Sequence, residues 1–128
     1  MIIRSDLEIG ERVGLSIGFS NVFSIKRNFI QHGGSFNISN DNNASVVTIG
    51  GDIIQAAGVI TETGSVNPVL HLNGTSRQRL TFNGGITNDV IVRIENPSGV
   101  TLNTPVALAY RLELKEGQIR TSESALLT

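Results

Sequence analysis

The chain contains no cysteine and no tryptophan, and it is poor in charged and aromatic residues. Of its 128 residues, 16% are Asp, Glu, Lys or Arg and 5% are aromatic, with a single tyrosine. The absence of cysteine excludes disulfides and thiolate metal sites. Because platforms for stacking bases or sugars need exposed aromatic faces, the low aromatic content argues against such a platform.

The chain also lacks a basic excess and a long apolar run. Its formal net charge is -1, whereas a nucleic-acid binder normally carries positive charge to neutralise phosphates. No apolar stretch approaches the ~18 residues of a membrane-spanning helix. The opening MIIRSDLEIGER has no apolar core of a secretory signal. We therefore expect no nucleic-acid partner and no membrane. The protein either stays in the cytoplasm where it is made, or leaves it by lysis or as part of a particle.

What the chain does have is glycine, asparagine and short alternating apolar segments. In ERVGLSIGFS, residues 11–20, apolar residues alternate with small or polar ones at Val13, Leu15, Ile17 and Phe19. PVALAYRLELK, residues 105–115, alternates through Val106, Leu108, Tyr110, Leu112 and Leu114. A period of two predicts strands with one buried face, so Phe36, Phe82 and Tyr110 are expected in the core.

Turn signals such as Asn73-Gly74 and Asn83-Gly84-Gly85 recur roughly every 8–12 residues, a spacing typical of antiparallel sandwiches. We predict an all-β fold, an antiparallel, jelly-roll-like β-sandwich of roughly eight short strands. It forms one domain over 1–128, with an N-terminal arm at 1–10 and a polar C-terminal tail at 116–128. No internal repeat is evident. Residues 21–31 fit either a bulged strand or a short helix.

The Asn/Asp cluster in SFNISNDNNASVVTIG is interpreted as a bend between two strands. Asp41 is its only carboxylate, and a calcium loop needs several carboxylates and a glycine. The two histidines, His32 and His71, lack metal-ligand spacing, and His71 is expected at the surface or in an interface. Gly14-Leu15-Ser16-Ile17-Gly18 has GxSxG spacing, but it lies inside an alternating segment predicted as a strand and not at a strand-to-helix turn. No phosphate-binding glycine motif is present. The sequence therefore predicts no metal, no cofactor and no enzymatic activity.

One segment is a candidate contact surface between subunits. Gly14, Ser16 and Gly18 occupy the face of ERVGLSIGFS opposite to its apolar residues. A face of such small residues allows a close approach, either of another subunit or of a second sheet of the same domain. Both interpretations remain open at the level of sequence.

In overall style the chain resembles small phage virion proteins of the capsid decoration, or cement, type. The resemblance lies in ERVGLSIGFS, the Asn/Gly turns and PVALAYRLEL, across roughly residues 10–115. It implies a jelly-roll-like domain, often a homotrimer, seated on the major capsid protein or another virion protein through loops and terminal arms. The expected function is a non-enzymatic virion protein that bridges neighbouring shell subunits.

The alternative is a receptor- or carbohydrate-binding module of a phage tail fibre or similar appendage. The polar segments SNDNNAS, residues 39–45, and TETGSVNP, residues 61–68, could form hydrogen bonds with sugar hydroxyls.

Overall fold

The computed structural model describes residues 1–18, 22–64 and 66–128, and these residues form sixteen short strands. In chain order the strands are β1 (Ile2–Ile3), β2 (Leu7–Ile9), β3 (Gly14–Ser16), β4 (Val22–Ile25), β5 (Phe29–Gln31), β6 (Ser35–Asn37), β7 (Val46–Ile49), β8 (Ile53–Gln55), β9 (Val59–Thr61), β10 (Val69–Leu72), β11 (Gln78–Phe82), β12 (Gly85–Ile86), β13 (Ile91–Glu95), β14 (Val100–Leu102), β15 (Arg111–Glu116) and β16 (Ile119–Arg120).

All pairings between these strands are parallel, and the strands form three sheets. Sheet A has the order β1-β4-β7-β10-β13-β15, sheet B the order β16-β14-β11-β8-β5-β2, and sheet C the order β12-β9-β6-β3. The chain visits the sheets in the order A, B, C and then returns to A one level higher. The fold is a parallel β-solenoid of about five turns, here called coils.

The core runs along the axis of the solenoid in columns of inward-facing side chains. One column of sheet A consists of Ile3, Ile25, Ile49, Leu72, Ile94 and Leu114. Its members are therefore 20 to 24 residues apart (114 − 94 and 49 − 25). A second column in sheet C contains Leu15, Phe36, Ile60 and Ile86. Each coil thus contributes a layer to one continuous hydrophobic core.

The predicted antiparallel sandwich with jelly-roll topology is wrong. Alternation correctly indicates inward side chains at positions such as Phe36 and Phe82, but it fails at Val13, which is 52% exposed. Several Gly and Asn clusters, such as Gly33-Gly34 and Asn83-Gly84, correctly indicate where strands end. Neither signal contains the direction of the neighbouring strand. A hairpin reverses the chain, whereas each corner here redirects it into another sheet, so a strand meets its partner one whole coil later.

The expectation of no internal repeat is also wrong. The repeating unit is one coil of the solenoid, and equivalent positions in successive coils share their residue types only weakly. Three equivalent segments begin at the paired residues Phe29, Ile53 and Leu80 and read FIQHGG, IIQAAG and LTFNGG. Their shared features are an inward apolar residue, a second inward residue two positions later and glycine at the following corner. The coil length varies, which hides the period.

The corner between sheets B and C shows why glycine and glutamine recur there. Gly34 and Gly58 have φ values of 64° and 90°, and a Cβ at Gly58 would collide with the backbone of the coil below. Below this corner, fully buried Gln31 donates from Nε2 to the carbonyls of Gly34 and Val59 at 3.3 and 3.1 Å. Gln55 Nε2 donates to Gln31 Oε1 at 2.9 Å. These amides satisfy carbonyls that a purely apolar core would leave unpaired.

The aromatic residues divide between core and surface. Phe36 and Phe82 are buried as predicted, and Phe29 stacks on Phe36 with ring centroids 5.1 Å apart. The prediction for Tyr110 is wrong, since its side chain is 48% exposed. Its segment was predicted as one strand over 105–115, but β15 begins only at Arg111, and the preceding residues form a bend.

The terminal segments and the ambiguous segment 21–31 all contribute strands. Residues 1–10 contain β1 and β2, and residues 116–128 contain β16 and the buried Ala125. Leu127 forms an isolated parallel bridge with Val106, outside the three sheets. The described part of 21–31 is two strands, β4 and β5, joined by a corner.

Candidate functional site

The two ends of the solenoid differ from its middle in the burial of the core columns. Leu72 is fully buried, whereas Leu114, two levels higher in the same column, is 51% exposed. At the opposite end Ile3, Leu7 and Leu15 point inward from the first coil (β1–β3) but are only partly buried. In the last coil (β15, β16 and Leu127), Leu112, Ile119 and Leu127 are likewise partly buried. Each end therefore presents a cross-section of the apolar core.

A mostly apolar hollow of about 430 Å³ opens at the first-coil end. Its lining includes Met1, Leu15, Val22 and Phe23. The exposed Ile2, at 58%, lies on the edge strand β1 nearby. Apolar side chains next to an unpaired strand edge favour contact with another protein surface.

The predicted packing face Gly14, Ser16 and Gly18 is located at this same end. Gly14 and Ser16 belong to β3, the edge strand of sheet C, and both are exposed. Gly18 follows the strand and lies against the Asn40 side chain. The positions of Gly14 and Ser16 face outward from the solenoid, and no second sheet covers them among the described residues. Phe19 lies outside those residues.

The corner between sheets C and A carries the longest loops. The bend at 38–45 joins β6 to β7, which confirms the prediction that the Asn/Asp cluster separates two strands. Asp41 Oδ1 accepts the backbone N–H of Asn43 at 2.9 Å, as expected for a self-bonded turn. The next loop stacks on it, since Thr63 N donates to Ser39 O at 2.9 Å. The structure thus brings SNDNNAS and the described residues of TETGSVNP together.

Tyr110 lies at this loop corner. Asn67 Nδ2 donates to the Tyr110 hydroxyl at 3.2 Å, and the guanidinium carbon of Arg111 lies 5.7 Å from the ring centroid. An exposed ring held beside amide and guanidinium groups can pack against the apolar face of a sugar while neighbouring polar groups bond its hydroxyls. The exposure of Tyr110 was not predicted, because the alternation indicated a position in the core.

The outer face of sheet A carries a row of ionic residues at one register position. His71, Arg93 and Glu113 are stacked on successive coils. Arg93 Nε donates to Glu113 Oε2 at 2.7 Å, and this hydrogen bond lowers the pKa of the Glu113 carboxyl below its ordinary value. His71 Nε2 lies 2.9 Å from Glu95 Oε2, yet burial outweighs that carboxylate and lowers the pKa of the imidazole. Within this row, Arg93 and Glu113 pair opposite charges across adjacent coils.

No group of three or more metal-ligating side chains occurs within residues 1–18, 22–64 and 66–128. The other histidine, His32, lies in the corner after β5, and its Nε2 is 2.6 Å from Glu8 Oε1. The same ranges contain no helix whose length and hydropathy would let it cross a bilayer.

Comparison with protein-family models, with curated proteins and with solved structures finds no match for this chain. Its function must therefore be inferred from the surfaces described above.

Proposed function

We propose that the chain is a non-enzymatic structural module of a larger assembly, which binds neighbouring proteins through the two ends of its solenoid. The observation that supports this function most strongly is the exposure of core columns at both ends, shown by Leu114 and Leu15. A continuous core and ladders of parallel hydrogen bonds make the module stiff along its axis. The ends combine apolar surface with strand edges, which is how proteins recruit a further strand.

The predicted setting is a phage particle in which the chain bridges shell subunits. The bridging role needs a rigid body with two separate contact surfaces, and the solenoid supplies one at each end. The jelly-roll part of the resemblance to decoration proteins no longer supports that setting. The virion location, the capsid partner and the homotrimer stay predictions.

Incorporation into the native assembly tests the function. Untagged variants would be expressed in the source cell, and their share in the fast-sedimenting fraction would be measured by mass spectrometry. We expect Ile2→Lys and Leu114→Lys to lose incorporation, because each places an ammonium group on an end. Ile54→Lys is the matched control, since Ile54 is 42% exposed on the outer side of sheet B, away from both ends.

A wild-type chain that never sediments with a larger assembly would overturn this function. So would end variants that are incorporated as efficiently as Ile54→Lys. Circular dichroism of each purified variant would establish that it remains folded.

Carbohydrate binding is the second candidate, and the loop corner around Tyr110 favours it. The corner joins both predicted polar loops to an exposed aromatic ring, which the sequence analysis did not anticipate. A glycan array with Tyr110→Ala tests this function: saturable binding that disappears in the variant supports it. Leu126→Ala changes an equally exposed residue and is the matched control. An array without saturable binding by the wild type rejects this candidate.

A further inference from the structure

We propose that the first coil of one copy of this chain stacks on the last coil of another, so that the chain associates head to tail with itself. This inference rests on the proposed function and names the occupant of the two ends. It follows from three features of the end coils: the direction of their unpaired backbone groups, the alignment of their core columns and the signs of their charges.

The backbone groups of the first coil divide into two sets. The carbonyls of Met1 and Ile3 accept hydrogen bonds from the second coil, as does the carbonyl of Ile9. In a parallel ladder, residues alternate between the two neighbouring strands. The N–H and C=O groups that face away from the second coil are therefore those of the outward-facing residues Ile2, Glu8, Gly14 and Ser16.

The last coil has the opposite arrangement. The carbonyls of Gln118 and Leu126 accept hydrogen bonds from the preceding coil, at 2.8 and 2.9 Å. The groups that face the free end are therefore those of the inward-facing residues Ile119 and Leu127. Stacking a first coil on a last coil would pair outward residues of one copy with inward residues of the other, as successive coils do inside the solenoid. The strands would stay parallel across the junction.

The core columns also continue across such a junction. Ile3 is the first member and Leu114 the last member of one column in sheet A. Leu15 begins the column of sheet C, and Leu127 in the last coil bridges Val106 and packs against the same hydrophobic core. Stacking would place aliphatic side chains on aliphatic side chains and would bury the surface that both ends expose. This burial is the main source of the attraction.

Two pairs of opposite charge meet in the same register. Ile3 and Ile94 belong to one column, so the residues that follow them, Arg4 and Glu95, share the next column. Glu116 is the partner of Glu95 in the last coil. One more coil would therefore place Arg4 beside Glu116. A second column runs through Asp6, Asn28, Asp52, Arg79, Thr101 and Arg120. One more coil would place Asp6 beside Arg120. These charges favour the head-to-tail orientation and fix its register.

A head-to-tail contact uses two different surfaces, so it does not close after two copies and produces linear arrays. Each junction involves only one layer of coil against coil, and it must overcome the loss of translational and rotational freedom. The association is therefore reversible and concentration-dependent. It strengthens at low ionic strength, because the charge pairs lie at the rim.

Sedimentation velocity and small-angle scattering of the purified, untagged chain test this inference. We expect the mean mass to grow continuously with concentration while the cross-section radius stays constant. Arg4→Glu and Glu116→Arg should each weaken the association by about fivefold through like-charge contact at the rim. The double variant should regain it, because each of its ends matches the exchanged charge of the next copy. Ile54→Lys should associate like the wild type.

A folded chain that remains monomeric at every attainable concentration would overturn head-to-tail stacking. A discrete trimer of constant mass would also overturn it, as would a double variant no stronger than the single ones. These outcomes are separable from the proposed function: a chain that is monomeric alone, but depends on Ile2 and Leu114 for incorporation into its native assembly, retains that function with a different occupant at its ends.

Discussion

The inner coils and the end coils of this solenoid are built from the same kinds of residues, yet their energetic roles differ. Leu72 and Leu114 occupy one column of sheet A, but only Leu72 has a coil above and below it. The inner position is fully buried, and the end position is half exposed. The difference shows that the inner coils stabilise the fold, while the same chemistry at the ends remains available for contact with another molecule.

The largest expected effect comes from the same truncation at both positions of this column. Leu72→Ala should lower the free energy of unfolding by about 3 to 4 kcal/mol, because it leaves a cavity between two coils. Leu114→Ala should lower it by about 1 kcal/mol or less, since half of that side chain is already in water. Urea denaturation of both variants, at concentrations where the chain is monomeric, measures the contrast. Equal losses would show that the ends are packed like the middle.

The next effect concerns the buried amides of the inner corners. Gln55→Leu should lower the free energy of unfolding by about 1 to 3 kcal/mol, because Gln31 Oε1 and the Gly85 carbonyl lose a donor. Gln118→Leu, at an exposed position of the last coil, should change it by no more than about 0.5 kcal/mol. The measurement is again denaturation by urea. A Gln55→Leu variant as stable as the wild type would show that the buried amides do not stabilise the corner.

A smaller effect is the pH dependence due to His71 in the fourth coil. Burial lowers the pKa of its imidazole below the ordinary value of 6.5, so the unfolded chain binds a proton more readily than the folded one. Stability from this residue is complete above pH 6.5 and decreases as the pH falls through the folded-state pKa. Thermal unfolding between pH 7.5 and 5.5 should therefore show a falling Tm. His71→Gln should flatten this part of the curve, and an unchanged slope would contradict the assignment.

The smallest effect is expected from Glu113 at the end of the same outward column. Its hydrogen bond from Arg93 lowers the pKa of the carboxyl below 4.5, so its contribution is complete above pH 4.5 and is lost as the pH falls through the folded-state pKa. Thermal unfolding of Glu113→Gln should differ from the wild type above this range and converge with it in stronger acid. A difference that persists unchanged in strong acid would contradict the pairing with Arg93.

Local structure could be predicted from the sequence, whereas the partner of each strand could not. The alternation around Leu15 and Phe36 correctly indicated inward side chains, and Asp41 with its asparagines correctly indicated a bend. Parallel pairing depends on which residues meet after a whole coil. The sequence signal for this pairing was that Gln31 and Gln55, and likewise Gly34 and Gly58, recur at matching positions of two successive coils. Each is a polar or flexible residue in an otherwise apolar segment.

The candidate surfaces were only partly predictable for the same reason. Gly14 and Ser16 drew attention as a small face, but their position on an edge strand follows from the sheet order. Tyr110 was assigned to the core because five matches to alternation spanned a bend that the pattern does not reveal. The exposure of Leu114 depends on its position in the last coil, a property of the stack and not of the local sequence.

In-register parallel stacking is the central claim of this account, and a cysteine pair tests it most directly. Ser24 and Thr48 are partners on adjacent coils, with side-chain oxygens 2.7 Å apart, and the chain has no other thiol to interfere. Ser24→Cys with Thr48→Cys should form an intramolecular disulfide on mild oxidation, detected by mass spectrometry. Ser24→Cys with Ile49→Cys should remain reduced, because Ile49 faces the core. If the first pair stays reduced in the folded protein, or the second pair closes instead, the parallel register is wrong.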